Sequence, residues 1–164
     1  MRCRVRGRRW AATRSRSVLV VIHTADLQVL LLERADHPGY WQSVTGSRRS
    51  LDEPLPETCR REVLEETGID TDAFALSDWQ CTNRYEIYRH WGSRFAPGVT
   101  HNTEHVFGLT LPAPVSVTLS EREHLNHLWL PMTEAAGRCF SWTNVAAIRA
   151  LPDRVARVAG GGCA

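Results

Sequence analysis

The segment Arg61–Ile69, REVLEETGI, constrains this chain more than any other. Glu62, Glu65 and Glu66 fall within five consecutive residues. On a helix, residues three or four apart share one face, so Glu62 stands beside both Glu65 and Glu66. Three carboxylates this close repel one another, and a plain surface helix gains nothing from the arrangement. A hard divalent cation removes the repulsion, because Mg²⁺ takes oxygen ligands at about 2.0–2.1 Å and keeps positions open for water and substrate phosphate. Arg61, four residues before Glu65, is placed to pair with it and orient the set. Taken alone, an ordinary charged helix face would show the same residues. The helix is predicted to run from Pro56 to Thr67, with Leu55 as N-cap and Gly68 as C-cap.

The rest of the chain must supply a core for that helix. Its 164 residues, 43% hydrophobic and 23% charged, suit one globular domain. We expect that domain over residues 16–157, between a flexible basic start at 1–15 and a flexible tail at 158–164. A net charge of +2 is weak for a nucleic-acid binder. All the basic residues other than histidine are arginine, and many precede Asp26, the first acidic residue. The five cysteines are scattered and form no C-x-x-C pair, which argues against a zinc site or a disulfide framework and suits a reducing cytoplasm. No apolar run is long enough to span a bilayer, and the first residues contain no hydrophobic stretch of the kind a secretory signal needs.

Hydrophobic patterning predicts strands at Ser17–His23, Leu27–Arg34, Trp41–Gly46, Cys81–Trp91, Glu104–Leu111 and His127–Pro131. A second helix is predicted from Ser141, a good N-cap, to Leu151. Strands with two separated helices argue for an α/β or α+β sandwich.

From Glu53 to Ile69 the chain resembles the Nudix box, G-x5-E-x7-R-E-U-x-E-E-x-G-U with U aliphatic. Glu53, Arg61, Glu62, Val63, Glu65, Glu66, Gly68 and Ile69 all match. Six residues separate Gly46 from Glu53, one more than the pattern has. The resemblance implies a Nudix fold, a mixed β-sheet core between helices with the box as loop–helix–loop. It also implies Mg²⁺-assisted hydrolysis of a diphosphate linkage, with Mn²⁺ as a substitute metal. Glu62 and Glu66 would be the main metal ligands, with Glu65 completing the set.

Outside the box, YWQSVTGS (Tyr40–Ser47), Tyr85–Phe107, EHLNHLWL (Glu123–Leu130) and SWTN (Ser141–Asn144) resemble the bacterial Nudix hydrolases of the folate pathway. That resemblance implies a dihydroneopterin triphosphate substrate, cleaved to the monophosphate and pyrophosphate. It implies Glu123 as a further metal carboxylate or as the base that takes the proton of water. Arg34 would hold phosphate by bidentate pairing, Thr45 would lie near the substrate, and Ser141 would touch it. Tyr85, Glu86, Ile87 and Tyr88 would line a pterin pocket, where aromatic faces stack on flat rings and a carboxylate accepts ring N–H bonds. Trp41 and Trp142 read as core.

Three other readings compete. The same box serves Nudix enzymes acting on oxidised nucleoside triphosphates, ADP-ribose or dinucleoside polyphosphates. A nucleic-acid module led by the arginine-rich start would bind in a salt-sensitive way. A Nudix-fold ligand sensor without catalysis would have no need of the intact carboxylate set.

Overall fold

The β-branched run after Ser17 is apolar at consecutive positions, the mark of a strand buried on both faces. The computed structural model, which describes residues 15–87, 89, 92 and 97–160, bears this out. Strand β1 (Ser15–Thr24) is buried from Ser17 to Thr24. Its even-numbered residues Val18, Val20 and Ile22 pack with Leu30, Leu32, Cys59 and Val63 on one face. Leu19 and Val21 pack with Val29, Leu31, Ala135, Ala147 and Ile148 on the other. Helices therefore cover both sides of one sheet, the mixed α+β sandwich expected.

The remaining strands are β2 (Gln28–Arg34), β3 (Trp41–Gln42), β4 (Val44–Ser47), β5 (Ala75–Glu86), β6 (His101–Leu111) and β7 (His124–Pro131). The sheet order is β3-β2-β1-β6-β5, with β4 paired to β1 and β7 to β2. β1 and β6 run parallel and the other pairs antiparallel. One edge of β1 is shared, since β2 pairs with it at His23 and β4 pairs with it from Ser17 to Val20.

Helix α1 (Leu55–Thr67) carries the box and ends at Gly68, whose φ of 70° is the left-handed conformation a C-cap glycine supplies. Its N-cap is Pro54, not Leu55, and no side chain caps it. Pro54 is extended (φ −63°, ψ 142°), and the Thr58 amide and hydroxyl both donate to its carbonyl. Two helices are predicted and four α-helices are found among the described residues: α2 (Met132–Arg138), α3 (Trp142–Arg149) and α4 (Leu151–Gly160) join α1. The predicted C-terminal helix breaks at Ala150 because Pro152 has no amide to donate into the preceding turn. α4 then continues through Gly160, beyond the start of the expected tail. β5 begins at Ala75, earlier than predicted, and ends at Glu86; the predicted end at Trp91 lies outside the described residues. A bulge between Asp78 and Cys81, with Gln80 at φ 51°, interrupts its pairing. The basic start up to residue 14 lies outside the described residues.

Candidate active site

α1 buries an unusual stripe. Thr58, Cys59, Glu62, Val63, Glu66 and Thr67 all face inward, so two carboxylates occupy positions where a packed helix normally places apolar side chains. Glu62 is 9% exposed and Glu66 1%. Burial pushes the Glu62 carboxyl above the usual carboxylate range, against the pull of Arg61. It raises Glu66 to about 7, against its hydrogen bond with His124. Glu65 lies on the outer flank, held by Arg49 and Arg61, and is not among the residues lining the cavity.

Arg61 organises the entry to the helix. Its guanidinium donates to both Glu53 oxygens at 2.9 and 3.2 Å, to Glu62 at 2.6 Å, to Glu65 at 3.3 Å and to the Ser47 carbonyl at 3.0 Å. Its main partner is thus Glu53, with Glu65 the weakest contact. The pairing drops the Glu53 carboxyl to about 2. Gly46 sits directly beneath Glu62, and a Cβ there would fall 1.9 Å from the carboxyl carbon. Gly46 therefore fills the role of the box glycine despite the longer loop to Glu53.

A turn before β7 brings in two further groups. Glu123 and His124 both donate their amides to the Ser120 carbonyl at 2.9 Å; Glu123 is exposed and His124 buried. His124 Nε2 lies 2.8 Å from a Glu66 oxygen, both groups deeply buried, while the His124 Nδ1 has no partner among the described residues. Ligand atoms of Glu66, Glu123 and His124 all lie within 4.8 Å of one another. His124 was not anticipated from the sequence. Its contact with Glu66 crosses 58 residues and no local spacing signals it.

These groups open into a cavity of about 530 Å³. Its walls include Arg34, Thr45, Glu62, Glu66, Tyr85, Glu86, Glu123 and Ser141, so most of the predicted site residues share one space. Arg34 donates to Asp36 at 2.8 Å and to Gln42 at 3.0 Å, which fixes its guanidinium at the cavity wall. The Thr45 hydroxyl accepts from Gln42. Ser141 caps α3 by accepting from the Asn144 amide, and Asn144 accepts from the Ser43 amide at 2.7 Å, tying α3 to the β3–β4 junction. Ile87 is buried and is not among the lining residues. Tyr88 lies outside the described residues. Trp142 is not core: it is 55% exposed and lines the cavity, whereas Trp41 packs against the apolar cluster beneath α2 and α3.

The donor set fits a divalent cation. Two buried carboxylates one turn apart have raised proton affinities, and Glu66 shares its site with the His124 imidazole and the Glu123 carboxylate. A cation of charge two would relieve both burdens, and oxygen-rich ligation suits Mg²⁺-type ions.

A NUDIX domain model matches residues 13–151. The dihydroneopterin triphosphate diphosphatase of Escherichia coli (strain K12) is 45% identical over 135 residues, covering 80% of this chain and 88% of that protein. The enzyme of the same name from Haemophilus influenzae is 38% identical over 138 residues, covering 82% and 85%. The solved structure of the E. coli dihydroneopterin triphosphate pyrophosphohydrolase superposes with a TM-score of 0.76 at 44% identity, covering 82% of this chain and 92% of that one. A box helix that buries Glu62 and Glu66, with Gly46 fitted beneath Glu62, within a matching domain, leads to one conclusion: the chain belongs to the Nudix family.

Proposed function

We propose that the chain is a Mg²⁺-dependent pyrophosphohydrolase that converts 7,8-dihydroneopterin triphosphate to dihydroneopterin monophosphate and pyrophosphate in folate biosynthesis. The observation that carries this reading is that one cavity of about 530 Å³ is lined both by the Glu62, Glu66 and Glu123 carboxylates and by the polar groups of Tyr85, Glu104, Ser141 and Asn144. The names and high coverage of the relatives support the same substrate. A cytoplasmic setting suits the free thiols of Cys59, Cys81 and Cys139.

In this reading Glu62, Glu66 and Glu123 would hold the metal. When bound, it would neutralise phosphate oxygens and acidify water. Arg61 keeps Glu62 oriented through its 2.6 Å bond, and His124 does the same for Glu66. Arg34 at the wall binds the phosphate chain. Glu123 is the exposed member of the carboxylate set, so it alone of the three meets free water readily and accepts its proton. The water oxygen bonds to one phosphorus of the α–β linkage, the bond from that phosphorus to the bridging oxygen breaks, and the group carrying the bridging oxygen departs with that electron pair, so that monophosphate and pyrophosphate result.

Purified protein with Mg²⁺ should release pyrophosphate from dihydroneopterin triphosphate far faster than from oxidised dGTP. Absence of pyrophosphate from the pterin substrate, or a preference for oxidised dGTP, would overturn the assignment.

A further inference from the structure

Resting on the reading of the cavity as a pterin site and deepening it, we propose that Glu104 and Asn102 form the acceptor edge that recognises a heterocycle carrying adjacent ring N–H and amino donors. That donor pair belongs to the 2-amino-4-oxo ring of a pterin and equally to guanine.

Placement comes first. Asn102, Glu104 and Val106 alternate on one face of β6. Val106 packs into the apolar core beneath α2 and α3, whereas Asn102 and Glu104 line the cavity. The face thus turns from apolar to polar where it meets the site. β6 lies two strands from β4, where Gly46 supports Glu62. That is about 10 Å across the sheet, room for a phosphate chain and a short linker between the carboxylates on α1 and a ring against β6.

Burial comes next. Glu104 is 4% exposed and Asn102 2%. Polar groups buried this deeply need partners, and here acceptor capacity is left over. The Tyr85 hydroxyl donates to the Glu104 carboxylate and therefore accepts from the Asn102 amide nitrogen at 3.0 Å. The same nitrogen lies 2.6 Å from the Ser17 hydroxyl. These contacts fix the amide orientation and leave the Asn102 Oδ1 with no partner among the described residues. Glu104 accepts from Asn83 at 3.2 Å and has the Thr143 hydroxyl beside it, but no cation pairs with it among the described residues. A carboxylate offers about four acceptor positions. A ligand edge with two adjacent donors would complete both residues. Glu86, the carboxylate that the resemblance implies for the ring, lines the same cavity and is exposed where Glu104 is buried.

Titration calorimetry with the α,β-methylene analogues of GTP and ITP tests this, because inosine lacks only the 2-amino group. The wild type should bind the guanine analogue about 10–100-fold more tightly, the worth of one hydrogen bond to a charged acceptor. E104Q, checked for folding by its melting curve, should lose the preference. Equal affinities in the wild type, binding of neither analogue, or a preference retained in folded E104Q would each overturn the proposal. The wild-type comparison stands even if the variant fails to fold. Failure of the substrate assignment looks different: no pyrophosphate from dihydroneopterin triphosphate, with the guanine preference intact.

Discussion

Gly46→Ala isolates the geometry of the carboxylates proposed to hold the metal from the stability of the fold. The new Cβ would lie 1.9 Å from the Glu62 carboxyl carbon and 2.2 Å from its Cγ and Oε1. Carbon atoms in contact sit about 3.5–4.0 Å apart, so the Glu62 side chain must retreat by about 1.5 Å or more. The three nearest atoms in that clash all belong to one side chain, which can swing away without moving backbone. An off-rotamer side chain costs about 0.5–1.5 kcal/mol, and each kcal/mol lowers the melting temperature of a domain this size by about 2–4 °C. Activity should suffer far more, since a misplacement of about 1 Å costs about 100-fold. The swing also breaks the 2.6 Å bond to Arg61. We expect kcat for pyrophosphate release to fall about 100-fold or more while the melting temperature drops by only a few degrees. A kcat within about fivefold of wild type, a barrier change under about 1 kcal/mol, would refute the role given to the Gly46–Glu62 contact.

Two further predictions follow from the same residues. Glu66→Gln should leave the fold intact and cut kcat by orders of magnitude. Mg²⁺ should raise the wild-type melting temperature, by about 2.7 kcal/mol of stability at a hundred times its Kd, but not that of the variant; equal shifts would remove Glu66 from the ligand set. Glu53, held down to about 2 by Arg61, gives the folded state an advantage that is fully present above its unfolded value of 4.5 and lost as pH falls towards 2. Urea unfolding of wild type and Glu53→Gln should therefore differ at pH 5 and converge on acidification, and a pH-independent gap would exclude that account.

Much of the catalytic helix was legible because its signals are local. Glutamates four apart, Arg61 ahead of them and Gly68 behind fix a helix, its end and its polar face. What spacing does not carry is burial. Nothing in REVLEETGI says that Glu62 and Glu66 point into the core while Glu65 stays outside. That depends on the sheet beneath them. His124 and Glu104 were missed for the same reason: each gains its role from a partner brought in by folding, Glu66 for one and Asn83 with Tyr85 for the other. The strand was predicted only from Glu104, and no local signal says that Asn102 and Glu104 share a cavity wall with Thr143 and Asn144 of α3. α2 escaped notice because it starts from Pro131 with no side-chain cap and buries only small residues, Ala135 and Ala136.

The clasp around Arg61 bears on how this chain tolerates change. Arg61 grips the Ser47 carbonyl on one side and the Glu53 carboxylate on the other, and Arg48 donates to the Glu53 carbonyl at 2.8 Å. The intervening stretch is pinned at both ends like a slack cord between two nails. An additional residue there lengthens the bow without tugging on Gly46 or on the helix. Segments of differing length could be exchanged between those anchor points, leaving the exterior of the pocket free to diversify while its chemistry stays put.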